Sequence, residues 1–140
     1  LKGAKTSAFK IDPDVALVVD VSIAGDHPGV ESHESSLEMG EGVEITMVQS
    51  EGRGLVTPRS VKEWLRETAE DRDHDYQPAV WEGGATDAAK IYLAKEGIPT
   101  GSIGVPLRNM HSATEVLKIS DLEDTVDYLE DVSKTMEDYF

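Results

Sequence analysis

The stretch DVALVVDVSIAGDHPG, residues 14–29, decides how this chain folds. Five consecutive apolar residues run into Asp20 and the apolar pattern resumes after it, which predicts a buried strand over about Val15 to Ile23. A loop rich in Gly, Pro, His and Ser follows, from Gly25 to Gly42. A buried carboxylate without a partner costs on the order of several kcal/mol. Asp20 is therefore the first residue for which a function has to be considered.

Length and composition indicate one globular domain. The chain has 140 residues, of which 39% are hydrophobic, enough to form a core. It has no cysteine, which excludes disulfides and thiolate ligands, so any metal must be held by His and carboxylates. No apolar run approaches the roughly 20 residues that span a bilayer. The N-terminus also lacks the pattern of a signal peptide, so we expect a cytoplasmic protein.

The charge balance is strongly acidic. The chain has 28 acidic and 13 basic residues, a formal net charge of −15, and its acidic residues do not form a tail. Such a polyanion is expected to bind neither nucleic acid nor an anionic membrane at ordinary salt. The pattern is typical of a solvated acidic surface and equally of halophilic adaptation, in which strong screening favours a high net charge.

Beyond the first strand, the pattern predicts alternating strands and helices. The segment GVEITMVQS, residues 42–50, alternates apolar with polar residues, which predicts a strand with one exposed face, and EGRG at 51–54 ends it. Thr57 as N-cap and Pro58 at the first helical position predict a helix. The segment YQPAVW predicts a short strand, which Pro78 confines to an edge or bulged position.

The second half of the chain continues this alternation. Two glycines in EGGATD precede a helix predicted from about Asp87 to Glu96, which Gly97 and Pro99 close. The segment TGSIGVPL predicts another strand, and RNMHSATEV a loop. Ser120-Asp121-Leu122-Glu123 then predicts a capping box at the start of a last helix. Helical spacing places five residues of this helix on one core-facing stripe: Leu122, Val126, Leu129, Ser133 and Met136.

Strands separated by helices predict a single layered α/β domain over residues 1–140, with a mostly parallel or mixed sheet flanked by helices. Sites in open sheets of this kind form beyond the C-terminal ends of the strands. The predicted strand ends carry an acid (Asp20), a glycine turn (Gly83 and Gly84) and an imidazole (His111). We expect these groups at one rim of the sheet.

Asp20 and His111 are the candidate metal ligands. Spacing alone leaves two interpretations of Asp20, a capping or salt-bridged carboxylate and a metal ligand, and His111 is equally consistent with a solvated loop histidine. Two ligands do not make a zinc site, because a catalytic zinc takes three protein ligands and an open position.

Other polar residues receive structural interpretations. His27 and His33 lie in an acidic loop whose spacing matches no metal motif, and His74 lies where a helix C-terminus is predicted. We expect Arg108 to pair with a surface acid. The GGATD turn lacks the lysine and the spacing of a phosphate-binding loop, which favours a close backbone approach to a ligand.

Three segments together resemble the glutamyl-aminopeptidase family of dinuclear metallopeptidases, which includes the tetrahedral and deblocking aminopeptidases. These segments are DVALVVDVSIAGDHPG, EGGATDAAKIYLAKEGIPTGSIGVPLRNMHS and the final helix. The resemblance covers nearly the whole chain in the family's order and spacing, and it is weakest over residues 31–60. It implies a partial metallopeptidase catalytic domain that acts on N-terminal residues of peptides, and homo-oligomeric assembly.

The resemblance also implies roles for individual residues. Asp20, in VVDVSIAGD, matches a ligand of one metal, and His111, in RNMHS, matches a ligand of the second metal. The GGATD turn matches a stretch that lines the substrate pocket, which assigns substrate contacts to its members: Gly83, Gly84, Thr86 and Asp87. The implied cofactors are two divalent ions, zinc or cobalt.

The resemblance places other family motifs upstream of this chain. A His-x-Asp pair, a bridging Asp and the Glu-Glu pair that contains the general base have no match here, so no catalytic base is assigned. The chain corresponds to the C-terminal half of the catalytic domain, without the N-terminal half and the β-domain inserted in it. We expect this chain alone to be inactive, with an exposed sheet edge or apolar patch. The alternative is a non-catalytic α/β module for binding or assembly.

Overall fold

The computed structural model describes residues 1–31, 33–50 and 54–140. In chain order these residues form α1 (Lys2–Ile11), β1 (Ala16–Ile23), β2 (Val43–Gln49), β3 (Leu55–Val56), α2 (Arg59–Asp71), β4 (Tyr76–Trp81), α3 (Ala88–Ile91), β5 (Thr100–Arg108), β6 (Val116–Leu117) and α4 (Ile119–Thr135). A short 3-10 turn, Met136–Asp138, follows α4. Most of the predicted EGRG break, residues 51–53, lies outside the described residues.

The described strands form one mixed sheet. Its order is β1-β5-β2-β3, with β4 paired to β2 and β6 paired to β5. The pairs β1–β5 and β2–β4 are parallel, whereas β2 runs antiparallel to β5. The predicted α/β class with a parallel or mixed sheet is confirmed. β4 pairs with β2 alone among the described strands, so Pro78 lies on an edge strand as predicted, where its missing N–H costs least.

One face of the sheet packs against α2 and α4 to form the main core. Its buried members are Val43, Ile45, Val61, Trp64, Leu65, Ala69, Ile103, Tyr128 and Val132. The helix and the sheet approach so closely at Gly101 that a Cβ there would lie 2.8 Å from Cγ1 of Val61. Burial of each large apolar side chain contributes roughly 1.5–3 kcal/mol, so this layer supplies much of the stability.

The opposite face of the sheet is polar and, at its centre, also buried. The prediction that β2 has one exposed face is wrong, because Glu44 is 2% and Thr46 0% exposed. β2 lies between β5 and β4, and loops that follow the strands cover its polar side. Alternation of polar and apolar residues correctly predicted two chemically different faces, and tertiary packing then buried both.

The predicted helix caps are replaced by other contacts. The hydroxyl of Thr57 donates to the carbonyl of Thr46 on the neighbouring strand (2.6 Å), and Pro58 is the N-cap of α2. The predicted capping box is also wrong, because α4 begins at Ile119 with Lys118 as its N-cap. The carboxylate of Asp121 instead accepts a hydrogen bond from the backbone of Gly40 (2.8 Å). Both side chains therefore connect separate segments instead of closing their own helices.

Of the predicted stripe on α4, Leu129 packs against the main core, but the fully buried face of the helix is a different one. Leu122 is 45% and Val126 56% exposed, whereas Tyr128 and Val132 are almost fully buried. The hydroxyl of Tyr128 donates to the carbonyl of Leu65 on α2 (2.8 Å). The aromatic ring and this hydrogen bond place the Tyr128 face against α2, although the other stripe is comparably apolar.

The third helix is shorter than predicted. α3 covers Ala88–Ile91 in place of the span from Asp87 to Glu96, because the chain then tightens into three-residue turns: the N–H of Ala94 donates to the carbonyl of Ile91. Gly97 has φ +101°, which a glycine adopts without strain. A second small cluster contains Ala8 of α1 with Ala94 and Ile98.

β1 forms one edge of the sheet, as the sequence led us to expect. Among the described strands it pairs only with β5. Val19 on this strand is 51% exposed, and Phe9 and Ile11 of the adjacent α1 are also exposed. The edge therefore carries apolar side chains that this chain leaves uncovered.

Candidate active site

Strand ends and the loops after β4 and β5 surround one cavity of about 180 Å³. Asp20 of β1, the segment 83–86 after β4 and His111 after β5 all contribute to its wall. Its inner surface comes from the polar face of the sheet, including Ser22, Glu44 and Ser102. The acid, the glycine turn and the imidazole that the sequence placed at three strand ends thus lie around the same space.

Asp20 is exposed, in contrast to the buried carboxylate that the strand pattern suggested. β1 is an edge strand, so water reaches the side chain even though apolar residues surround it in the sequence. Its Oδ1 accepts a hydrogen bond from the N–H of Val21 (2.9 Å). The charge of Asp20 therefore needs no buried partner, and the carboxylate is accessible to a ligand in the cavity.

His111 lies in a tight turn after β5 and has a left-handed backbone, with φ +65°. A non-glycine residue in this region is strained by about 1 kcal/mol. The turn is held by its own hydrogen bonds: the N–H of His111 donates to Oε1 of Glu115 (2.6 Å), and that of Ser112 to the carbonyl of Asn109 (3.1 Å). The imidazole is exposed and borders the cavity.

The glycine turn after β4 forms another part of the wall. Gly83, Gly84 and Thr86 all line the cavity, and Gly84 has φ +80°, a conformation that favours glycine. Both the N–H (3.2 Å) and the hydroxyl (3.1 Å) of Thr86 donate to Oε1 of Gln49. Gln49 at the end of β2 therefore fixes this turn against the sheet.

Asp87 lies apart from the residues that line the cavity. Its Oδ1 is 3.0 Å from the amino nitrogen of Leu1, so the structure places it against the start of α1. Arg108 pairs with an acid, as expected, through a 2.7 Å contact between its Nη2 and Oδ2 of Asp26. This hydrogen-bonded guanidinium lowers the pKa of the Asp26 carboxyl below its ordinary value.

The remaining histidines lie outside the cavity wall. His74 follows α2 as predicted, and its Nε2 is 3.0 Å from Oδ2 of Asp131 on α4. This pairing lowers the pKa of the Asp131 carboxyl. His33 is exposed, and Nδ1 of His27 lies 3.1 Å from the carbonyl of Pro28. These contacts agree with the structural interpretation of the three side chains.

Glu44 is a site residue that sequence reasoning missed. Its carboxylate lines the cavity and accepts three hydrogen bonds: from the hydroxyl of Ser22 to Oε2 (2.8 Å), and to Oε1 from the hydroxyl of Thr46 (2.6 Å) and the indole N–H of Trp81 (3.3 Å). Burial raises the pKa of Glu44, and the nearby charge of Asp20 adds to this effect. The sequence shows an acid within the predicted strand β2. That this strand is central, with both faces buried, is evident only from the tertiary structure.

The described residues do not contain a complete metal site. No group of three or more His, Asp or Glu side chains within this part of the chain is arranged to hold an ion. Asp20 and His111 have the oxygen and nitrogen donors that zinc accepts, but a stable site needs at least one more ligand. The cavity therefore contains two candidate ligands and, within the described residues, no third one arranged to complete a metal site.

The fold and cavity define an α/β domain with a cavity on the polar face of its sheet, and comparison with known proteins identifies its family. The model of the M42 glutamyl aminopeptidases matches residues 1–128. This chain belongs to that family. A relative from Acetivibrio thermocellus is 38% identical over 129 residues, which cover 92% of this chain and 38% of the relative.

Solved structures share the fold. The TET aminopeptidase of a marine sediment archaeon of the Thaumarchaeota superposes with a TM-score of 0.87 at 33% identity, over 94% of this chain and 36% of that one. The TET1 peptidase of Pyrococcus horikoshii, which assembles into a tetrahedron or a large octahedral shell, has a TM-score of 0.72 at 25% identity, again over 94% and 36%. The chain spans little more than a third of the length of these relatives. Within the described residues, no helix is long and apolar enough to cross a membrane.

Proposed function

We propose that this chain forms part of the catalytic domain of a dinuclear metal-dependent aminopeptidase that removes N-terminal residues from peptides. The observation that carries the proposal is the convergence of Asp20, His111 and the turn at 83–86 on one cavity, in a chain of the M42 family. Assembly into a homo-oligomer is part of the proposal, since the TET1 relative assembles from many copies.

Asp20 and His111 are proposed to bind different metal ions, zinc or cobalt. Both side chains are exposed and line the cavity, and they come from separate elements, β1 and the turn after β5. The bound metal pair would supply Lewis-acid activation of water and of the peptide carbonyl. The described residues supply only part of each coordination shell. The chain by itself is therefore proposed to bind metal weakly and to lack activity.

The glycine turn is proposed to position the substrate. The backbone at Gly83 and Gly84 borders the cavity without side chains, so a peptide can approach it closely. Thr86 is fixed by Gln49 and makes this wall rigid. Asp87 is proposed to support the turn from outside, because it does not line the cavity.

The test compares the 140-residue chain with the product of its complete reading frame. Metal content is measured by mass spectrometry, and activity by release of amino acids from leucine anilide. The complete product is expected to hold two ions per subunit and to be active, and the chain alone to do neither. A 140-residue chain that holds two ions and cleaves the anilide would overturn the proposal of inactivity.

Variants of the complete product test the two ligands. Asp20→Asn and His111→Ala are each expected to lower metal content from two ions toward one and activity by at least about tenfold, since loss of even a hydrogen-bond partner of a ligand costs about 10–100-fold. The matched controls are Asp124→Asn and His33→Ala, because both side chains are exposed and lie outside the cavity. Full metal content in the first two variants would contradict their assignment, and a metal-free complete product would favour the non-catalytic module.

A further inference from the structure

The carboxylate of Glu44 is buried at the cavity without a cationic partner. Its three hydrogen-bond donors are two hydroxyls and an indole, all neutral groups. Among the described residues, the cavity wall contains no lysine or arginine. Ionisation of a carboxyl this deeply buried is unfavourable without a counter-charge, so a cation bound beside Glu44 would stabilise the ionised form and gain a charge pair.

The absence of a side chain at Gly104 makes room for the Glu44 carboxylate and the Ser22 hydroxyl at the cavity wall. The strand register aligns Asp20, Gly104 and Glu44 across β1, β5 and β2. Gly104 has no side chain, and a Cβ there would lie 2.6 Å from Oε2 of Glu44. Any other residue at this position would occupy the space beside the carboxylate. Oε2 accepts only the bond from Ser22 among the described contacts, so it can accept another.

The surroundings of Glu44 favour an organic cation over a metal ion. Hydrogen-bond donors already point at both carboxylate oxygens, whereas a metal ligand presents free lone pairs to the ion. Trp81 lies beside the carboxylate and also lines the cavity. An indole next to an acid suits a cation with an apolar stem, which the ring contacts while the acid binds the charged end.

We propose that Glu44 is a specificity-determining residue that binds the side-chain ammonium or guanidinium of an N-terminal Lys or Arg in the cavity. This inference rests on the proposed peptidase function, which makes the cavity the place where a substrate side chain is received. The volume of about 180 Å³ accommodates one such side chain.

The experiment titrates the 140-residue chain with lysinamide and with norleucinamide, followed by two-dimensional NMR. The two probes share the α-ammonium, the amide and a four-carbon side chain, and only lysinamide carries the terminal ammonium. Lysinamide is expected to bind on the order of tenfold more tightly, as a buried charge pair at the low end of measured couplings does. Equal affinity for the two probes would overturn the inference.

A matched pair of variants distinguishes binding in the cavity from nonspecific attraction of the cation to the acidic surface. Glu44→Gln is expected to reduce the ratio of the two affinities to about 1, while Glu41→Gln, an exposed neighbour that changes the net charge equally, is expected to keep it. A ratio that falls equally in both variants, or in neither, would overturn the inference.

One further measurement keeps the test decisive if Glu44→Gln does not fold. The indole N–H resonance of Trp81 in the wild-type chain must then shift with lysinamide at concentrations on the order of tenfold lower than with norleucinamide. Each probe carries a carboxamide that an active aminopeptidase could hydrolyse, so its own resonances are followed in the same spectra, and the affinity ratio is taken from intact probe. A complete product without peptidase activity would refute the proposed function and leave the cation preference standing, and an active product without that preference would refute only this inference.

Discussion

The orientation of α4 makes the sharpest prediction, because sequence and structure assign different faces of this helix to the core. Val132 is 1% exposed and packs in the main core, whereas Val126 is 56% exposed. The same substitution, valine to alanine, can be made at both positions on one helix. Val132→Ala tests the face that the structure buries, and Val126→Ala tests the stripe that helical spacing favoured.

The expected loss follows from burial. Removing two buried methyl groups costs about 1.6 kcal/mol in transfer free energy, and the resulting cavity raises this to roughly 2–3 kcal/mol. Alanine is a better helix former than valine by about 0.5 kcal/mol at either position. Val132→Ala is therefore expected to lose about 2 kcal/mol, and Val126→Ala to change little or gain slightly. The shared propensity gain cancels in the difference, which measures burial alone.

The assay is urea unfolding of the 140-residue chain, followed by circular dichroism and by tryptophan fluorescence to check two-state behaviour. With a slope of roughly 2 kcal/mol per molar urea, the midpoint of Val132→Ala should fall by about 1 M. Equal midpoints for Val132→Ala and Val126→Ala, or a larger loss for Val126→Ala, would show that the packing of α4 described above is wrong.

Three further predictions concern the polar face, an ion pair and the helix–sheet contact. Burial raises the pKa of Glu44 above its ordinary 4.5, so the folded protein holds this proton more tightly than the unfolded chain does. The stability that Glu44 contributes should therefore decline as pH rises above about 4.5, and Glu44→Gln should lack that decline. Parallel pH profiles of unfolding free energy for the two proteins would contradict this. Arg108 lowers the pKa of Asp26 below its ordinary 3.8. Wild type should therefore be more stable than Asp26→Asn at neutral pH, and this advantage should vanish as pH falls below 3.8 and Asp26 is protonated. An advantage that survives at pH 2 would contradict this prediction. Gly101→Ala should cost about 1–3 kcal/mol in urea unfolding, because the new methyl would overlap Val61; an unchanged midpoint would count against this close approach.

The predicted elements were correct where local chemistry is strong. The apolar run before Asp20 forms β1, and Pro78 marks an edge strand, since neither depends on distant residues. Helix ends were predicted less well. Thr57 has the side chain of an N-cap, yet its hydroxyl bonds to Thr46 on a neighbouring strand. A cap is one of several partners that a hydroxyl can find, and tertiary structure determines which partner is near.

The candidate site was predicted in part. Asp20, Gly83 and His111 line one cavity, although their strand ends do not share one rim of the sheet. β4 runs in the direction of β2 and opposite to β5, so the loops after β4 and β5 begin at opposite rims and meet over the polar face. The roles of these three residues in metal and substrate binding stay predictions. Glu44 was assigned to the solvated side of a strand, and the structure places it in the wall of the same cavity.

The sequence by itself determined the α/β class, the order of most strands and helices, and the family, because these depend on local periodicity and on motifs that lie close together along the chain. Only the tertiary structure decided which polar face is covered and which face of α4 is buried. Periodicity records how polar each face is and carries no information about what packs against it. Glu44 became a buried carboxylate, and Asp20 an exposed one, because among the described strands β2 has neighbours on both sides and β1 has one.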